Sequence, residues 1–293
     1  MVRGTLAVLV ALTVVVAGPA GSGTAARAEQ TVRDEAEQRR QLYDALGVDG
    51  LIEVMRREGA VYGDGIGAEF LGDSGAEGWA AVVARIYDRD KMRASAEAGL
   101  DAGIGAADLA PLIAFFTSET GQRIVQLELT AREAFLDPEA EDRARAAYLD
   151  AETAVTEGKD AALARRLELL EAYVAVNDLV EFNVAGALTA NLRFYRGLAD
   201  GGAWETTEEE MLIEVWGQEE EIRADTVEWL MAYLLLAYAP LTDDELAEYV
   251  ALSERPEGRV LNKALFAGFD AMYADLSYAL GLAMAVQLQG EDL

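Results

Sequence analysis

The chain contains no histidine and no cysteine in 293 residues. Without histidine it lacks the commonest general base and the commonest metal ligand. With cysteine also missing, Ser-His-Asp and Cys-His catalytic arrangements are impossible, as are the usual zinc, haem and iron–sulfur sites. No disulfide is available, so stability must come from ordinary burial. Lysine is confined to Lys91, Lys159 and Lys263, and 24 basic residues face 53 acidic ones. A formal charge of −29 repels nucleic acid and anionic membrane faces alike. The chemistry left is that of carboxylates: a glutamate pair as in glycoside hydrolases, or oxygen ligation of Ca²⁺ or Mg²⁺. No stretch alternates with period two for long enough to make a convincing strand, so the expected fold class is all-α.

The first residues read as a targeting signal. Arg3 supplies the positive start, residues 6–17 an apolar run, and Ala26-Arg27-Ala28 a small-x-small cleavage site. That run is too short to span a bilayer. Cleavage after Ala28 leaves a chain beginning at Glu29, with no cysteine for lipid attachment. A soluble periplasmic or secreted protein with no membrane span in the mature chain is therefore expected.

One stretch occurs twice. Residues 108–124, DLAPLIAFFTSETGQRI, are echoed by residues 245–261, ELAEYVALSERPEGRVL. The offset is constant from Leu109/Leu246 through Ala114/Ala251 to Gly121/Gly258, and also pairs Trp79 with Trp216. A tandem duplication follows. Leu109, Leu112, Ile113 and Phe116 stand three, four and seven apart, one apolar helix face, and Leu246, Tyr249, Val250 and Ser253 repeat it. Thr242 and Glu245 form a capping-box pattern, and Pro256 suits the first turn of a new helix. Gly121 and Gly258 fall in that next turn, a costly place for glycine unless another backbone passes close by. The repeated unit is thus a helix, a tight corner and a second helix.

The run LIAFFTSETGQR (residues 112–123), with LGVDGLIEVM (46–55) before it, resembles the domain of unknown function 2059, a family of small exported helical domains of bacteria. The resemblance covers residues 40–137 and, more loosely, 167–276, where Leu252-Ser253 replaces Phe115-Phe116 and Arg259-Val260 replaces Gln122-Arg123. It implies an all-helical fold and export, and it brings no catalytic residues.

The chain is accordingly divided into a signal peptide (1–28), a first helical-bundle unit (29–157) and a degenerate second one (158–293), packed together. Seven glycines between Gly59 and Gly78 read as a loop, in which Asp64, Asp73 and Glu77 miss EF-hand spacing. Trp79 to Leu100 reads as one long helix, and the apolar run 229–238 as a buried one. Acids in apolar surroundings include Glu53, Glu128, Glu133, Glu181, Glu214, Glu228 and Asp270. No catalytic or metal-ligating residue is assigned and no cofactor is expected. The favoured function is a non-catalytic binding or interaction module of the cell envelope. Its partner would be an envelope protein or a small apolar ligand, held in a groove between the copies. Trp79, Phe115, Phe116, Trp216, Trp229 and Tyr249 are the aromatic candidates for that groove. A carboxylate-dependent cell-wall hydrolase and a purely structural envelope scaffold are the alternatives.

Overall fold

Alanine, leucine, glutamate and arginine lose little side-chain freedom in a helix, and the chain is rich in all four. A computed structural model describes residues 22–75 and 78–290, which are mostly helical, without a strand among them. The helices are α1 (Ser22–Ala45), α2 (Val48–Gly75), α3 (Trp79–Ile86), α4 (Arg89–Ile104), α5 (Ala110–Phe116), α6 (Glu119–Ala134) and α7 (Pro138–Thr156). They continue as α8 (Ala161–Val176), α9 (Leu179–Asp200), α10 (Glu208–Trp216), α11 (Glu219–Tyr238), α12 (Asp243–Glu254) and α13 (Pro256–Leu288). Most of the expected targeting segment lies outside the described residues. From Ser22 onward the chain already belongs to α1.

Most of the glycine-rich stretch is helix and not loop. Residues 59–71 continue α2, where three of the glycines stand four apart on one face and receive another helix, and Gly72, at φ 61°, kinks the chain beyond them. An added Cβ would lie 2.1 Å from the Tyr87 ring at Gly59, 2.6 Å from Val83 at Gly63 and 2.4 Å from Trp79 at Gly67. Tyr87, Val83 and Trp79 are themselves four apart, so the chain of α3 runs antiparallel along a strip of bare backbone. The Trp79 indole N–H then reaches the Gly63 carbonyl at 2.7 Å. Of the three acids offered as cation ligands, Asp64 is exposed on α2. The side chains of Asp73 and Glu77 lie outside the described residues.

The expected helix from Trp79 to Leu100 is also interrupted. Tyr87 and Asp88 break it, and the Asp88 carboxylate caps α4 by accepting from the Lys91 N–H at 3.0 Å. Gly47, at φ 65°, separates α1 from α2. Elsewhere the expected signals act as read. Thr242 and Glu245 complete a capping box at α12, and Pro256 opens α13. At Gly121 a Cβ would sit 2.1 Å from the Phe115 carbonyl oxygen, and at Gly258 2.2 Å from that of Leu252. Both corners therefore fold the second helix back against the end of the first at backbone distance.

The core is organised on α13. Gly268 faces Gly99, and Ala264 faces Gly103, at separations that leave no room for a Cβ on α4 (2.4 and 2.6 Å). On its other side, Gly281 and Ala285 meet Phe194, Gly197 and Gly201 of α9. Leu261, Met272, Leu280 and Met284 fill the interior between. Within the first half, α1 packs on α5, α2 on α3 and α4, and α5 on α6. In the second, α8 packs on α12, α9 on α10 and α11, and α12 on α13. Across the halves, α4 lies on α13 and α11 on α6.

Two substitutions on α2 separate the packing role of glycine from its helix cost. Gly63→Ala should destabilise the fold by about 1–3 kcal/mol, because the new methyl overlaps Val83. Gly65→Ala, where nothing lies within 4 Å, should stabilise it by roughly 0.5–1 kcal/mol. Urea denaturation of the two variants beside the parent chain measures both, and equal effects would exclude the packing account.

Candidate functional site

Helices α9 and α13 run parallel but do not stay equally close. At Gly197 the nearest atoms are the α13 backbone, the Tyr278 carbonyl oxygen among them at 2.4 Å from an added Cβ. Nearer their N-terminal ends, at Gly186, the nearest atom is the tip of the Asp270 side chain. Further still, two whole rings, Phe182 and Phe266, stack between them at 4.7 Å. The pair therefore splays, and α2, α6, α8 and α11 close around the opening to leave a cavity of about 530 Å³. That size lies within the roughly 300–1,000 Å³ usual for small-molecule sites.

The lining is mostly apolar and aromatic. Leu51 and Met55 come from α2, and Trp229, Leu230, Tyr233, Leu234 and Tyr238 from α11. Leu265, Phe266, Phe269 and Tyr273 come from α13, and Leu179, Ala187 and Ala190 from α9. Trp229 and Tyr233, one helical turn apart, stack face to face at 5.2 Å and 4°. Asn183 and Asn262 donate their amide groups to the Leu179 and Asn177 carbonyls, at 2.7 Å each.

Three acidic or basic side chains of α6 and α13 border this space: Glu128, Arg132 and Asp270. Glu128 sits among tyrosines. Its Oε1 accepts from the Tyr238 hydroxyl at 2.5 Å and the Tyr249 hydroxyl at 3.3 Å. Tyr173 donates to Tyr249 at 3.1 Å, and Tyr233 to the Glu128 backbone carbonyl at 2.9 Å. Burial pushes the Glu128 carboxyl above the usual carboxylate range, against the two hydroxyls that favour its charged form. The same burial, with Glu128 alongside, holds the Tyr238 and Tyr249 hydroxyls protonated. Arg132 is neutralised from outside the cavity by Glu58, through a bidentate pair at 2.7 and 2.9 Å. Asp270 has no arginine or lysine partner among the described residues, and burial pushes its carboxyl up to about 6.

The other acids singled out from the sequence are engaged or solvated. Glu53 pairs with Arg56, Glu133 with Arg57, Glu181 with Arg223 and Glu228 with Arg145, while Glu214 is exposed. Among the aromatic candidates, Trp229 lines the main cavity. Tyr249 hydrogen-bonds Glu128 at its inner end and, with Phe116, lines an adjoining space of about 120 Å³. Phe115 stacks on Tyr249 at 5.7 Å. Trp79 is 2% exposed and belongs to the core, whereas Trp216 is 63% exposed on α10. Tyr173, Tyr233, Tyr238 and Arg132 escaped the sequence reading, since nothing in a single sequence marks which core aromatics face a void. A wider depression of about 610 Å³ beside α1 is bordered by Glu37 and Arg40, each 62% exposed, and is open surface.

Residues 90–148 match the family model of an uncharacterized protein conserved in bacteria, DUF2059. No curated protein and no solved structure matches the chain. The DUF2059 segment runs from α4 into α7 and contains the first corner together with Glu128 and Arg132. It covers one of the two corner sequences.

The Asp270 carboxyl carries a pH signature. A folded-state value above the ordinary one favours the folded chain below about pH 4, and this contribution disappears as pH rises through about 6. Asp270→Asn has no such loss. Its melting temperature relative to the parent should therefore rise between about pH 4 and 6 and stay constant above, as read by calorimetry across that range. A flat difference would show that Asp270 is solvated.

Proposed function

We propose that the protein is an exported, non-catalytic binding module of the bacterial cell envelope, which holds a small apolar ligand in the cavity between α9, α11 and α13. The cavity carries this reading, because its volume of about 530 Å³ and its mostly apolar, aromatic lining suit a small apolar ligand. Export rests on the targeting pattern of residues 1–28. No helix among the described residues is long and apolar enough to cross a membrane.

The chain is further proposed to consist of two degenerate copies, 29–157 and 158–293, of one helical unit. Supporting this, several helix pairs of the first half recur in order in the second, and among the contacts between the halves α4 on α13 and α11 on α6 are exchanged counterparts. On this reading the cavity lies where the copies meet, and Glu128 in one copy stands opposite in sequence to Leu265 in the other. One copy therefore supplies a polar group where the other supplies an apolar wall.

The alternative of a cell-wall hydrolase would use Glu128 and Asp270, which border the same cavity. Such enzymes place two carboxylates about 5–10 Å apart across a cleft that also recognises sugar hydroxyls. The lining here is mainly hydrocarbon, which favours an apolar ligand.

Native mass spectrometry of the protein recovered from the envelope of its own host tests the reading. The expected species begins at Glu29 and retains a mass of roughly a few hundred daltons, the size such cavities take. A bare chain would argue against a tightly held ligand, and a chain retaining residues 1–28 against export. Release of wall fragments that disappears in Glu128→Gln would instead establish the hydrolase.

A further inference from the structure

The polar groups facing the cavity are one-sided in charge. The Glu128 carboxylate has two tyrosine hydroxyls on Oε1, and no donor among the described residues reaches Oε2. The Asp270 carboxylate has no cation beside it among the described residues. The arginine that borders the cavity, Arg132, is already matched by Glu58. The site therefore holds two uncompensated acids in surroundings that make uncompensated charge expensive. The same cavity is lined by the aromatic rings of Trp229, Tyr233, Phe266 and Phe269. Aromatic faces attract cations through their quadrupole, and do so more strongly when water is excluded. The chain as a whole carries a formal charge of −29, which raises the local concentration of cations and repels anions.

We infer that the cavity takes a hydrophobic organic cation, an alkyl- or arylammonium ion whose charged head meets Glu128 and Asp270 and whose tail lies along the aromatic wall. This rests on the binding-module reading above and names its ligand class. A small metal ion does not fit the lining, since it would leave the hydrocarbon walls unfilled. An anionic lipid or fatty acid would bring its charge against two carboxylates. A neutral apolar molecule would fill the space but leave both acids unpaired.

Titration calorimetry of the purified protein at pH 8 with three probes of equal chain length separates these cases. The probes are decyltrimethylammonium below its micelle concentration, decanol and decanoate. The cation is expected to bind at least about tenfold tighter than decanol, with decanoate weakest. Glu128→Gln, checked for an unchanged circular dichroism spectrum, should reduce that preference by about tenfold and leave decanol unaffected. Asp270→Asn provides the same test should the first variant fail to fold. Equal affinities for cation and alcohol, or a preference for decanoate, would overturn the cationic assignment while the apolar site stood. Binding of none of the three would overturn both.

Discussion

Contact of α13 with α4 on one side and α9 on the other, close enough to exclude a Cβ, is the constraint on which the rest of the molecule depends. Gly99, Gly103, Gly268 and Gly281 make that approach possible. Dispersion falls off steeply with distance, so two helices gain most when their backbones touch, and only glycine or alanine allows it. Glycine weakens each helix by up to about 1 kcal/mol per position, and the helix pairs recover this through packing. The same device seats α3 against Gly59, Gly63 and Gly67. A protein without cysteine, and so without disulfides, thus obtains tight interfaces by removing side chains.

The cavity follows from the point at which this device ends. Where α9 and α13 meet through Gly197 and Gly281 they are in backbone contact. Where large side chains replace small ones, Phe182 against Phe266, they must part. Six helices bordering a widening gap cannot all fill it, and Tyr238 of α11 and Tyr249 of α12 direct their hydroxyls onto Glu128, with Tyr173 of α8 donating to Tyr249. Binding capacity and fold stability are here two ends of one helix pair.

Helical periodicity made the fold class legible, and the capping box at Thr242 and the corner glycines acted as their chemistry requires, while breaks such as the one at Tyr87 and Asp88 carry no signal in that periodicity. The number of glycines between Gly59 and Gly78 suggests a loop, but their placement decides the structure. Their spacing of four, matched by Trp79, Val83 and Tyr87, was the available signal for a helix interface. Glu128 and Asp270 stood in the sequence among several acids with apolar neighbours. They are distinguished by lining the cavity without an arginine partner among the described residues. Glu53 has Arg56 within one turn, Glu214 is exposed, and three others are met from far along the chain: Glu133 by Arg57, Glu228 by Arg145, Glu181 by Arg223. Pairing over such distances is a property of the fold, so a single sequence could list the acids without ranking them.

The pairing of α4 with α13 also sets the order in which the molecule can assemble. Gly99 finds Gly268 only after nearly the whole chain exists, since their helices lie far apart in sequence. Contacts this distant carry a large loop-closure entropy before they bring any gain, and they slow folding. Until α13 arrives, the backbone strip on α4 and the wall of α9 stand open to water. The last long helix therefore completes the interior of both halves at once, since α4 and α9 each pack against it.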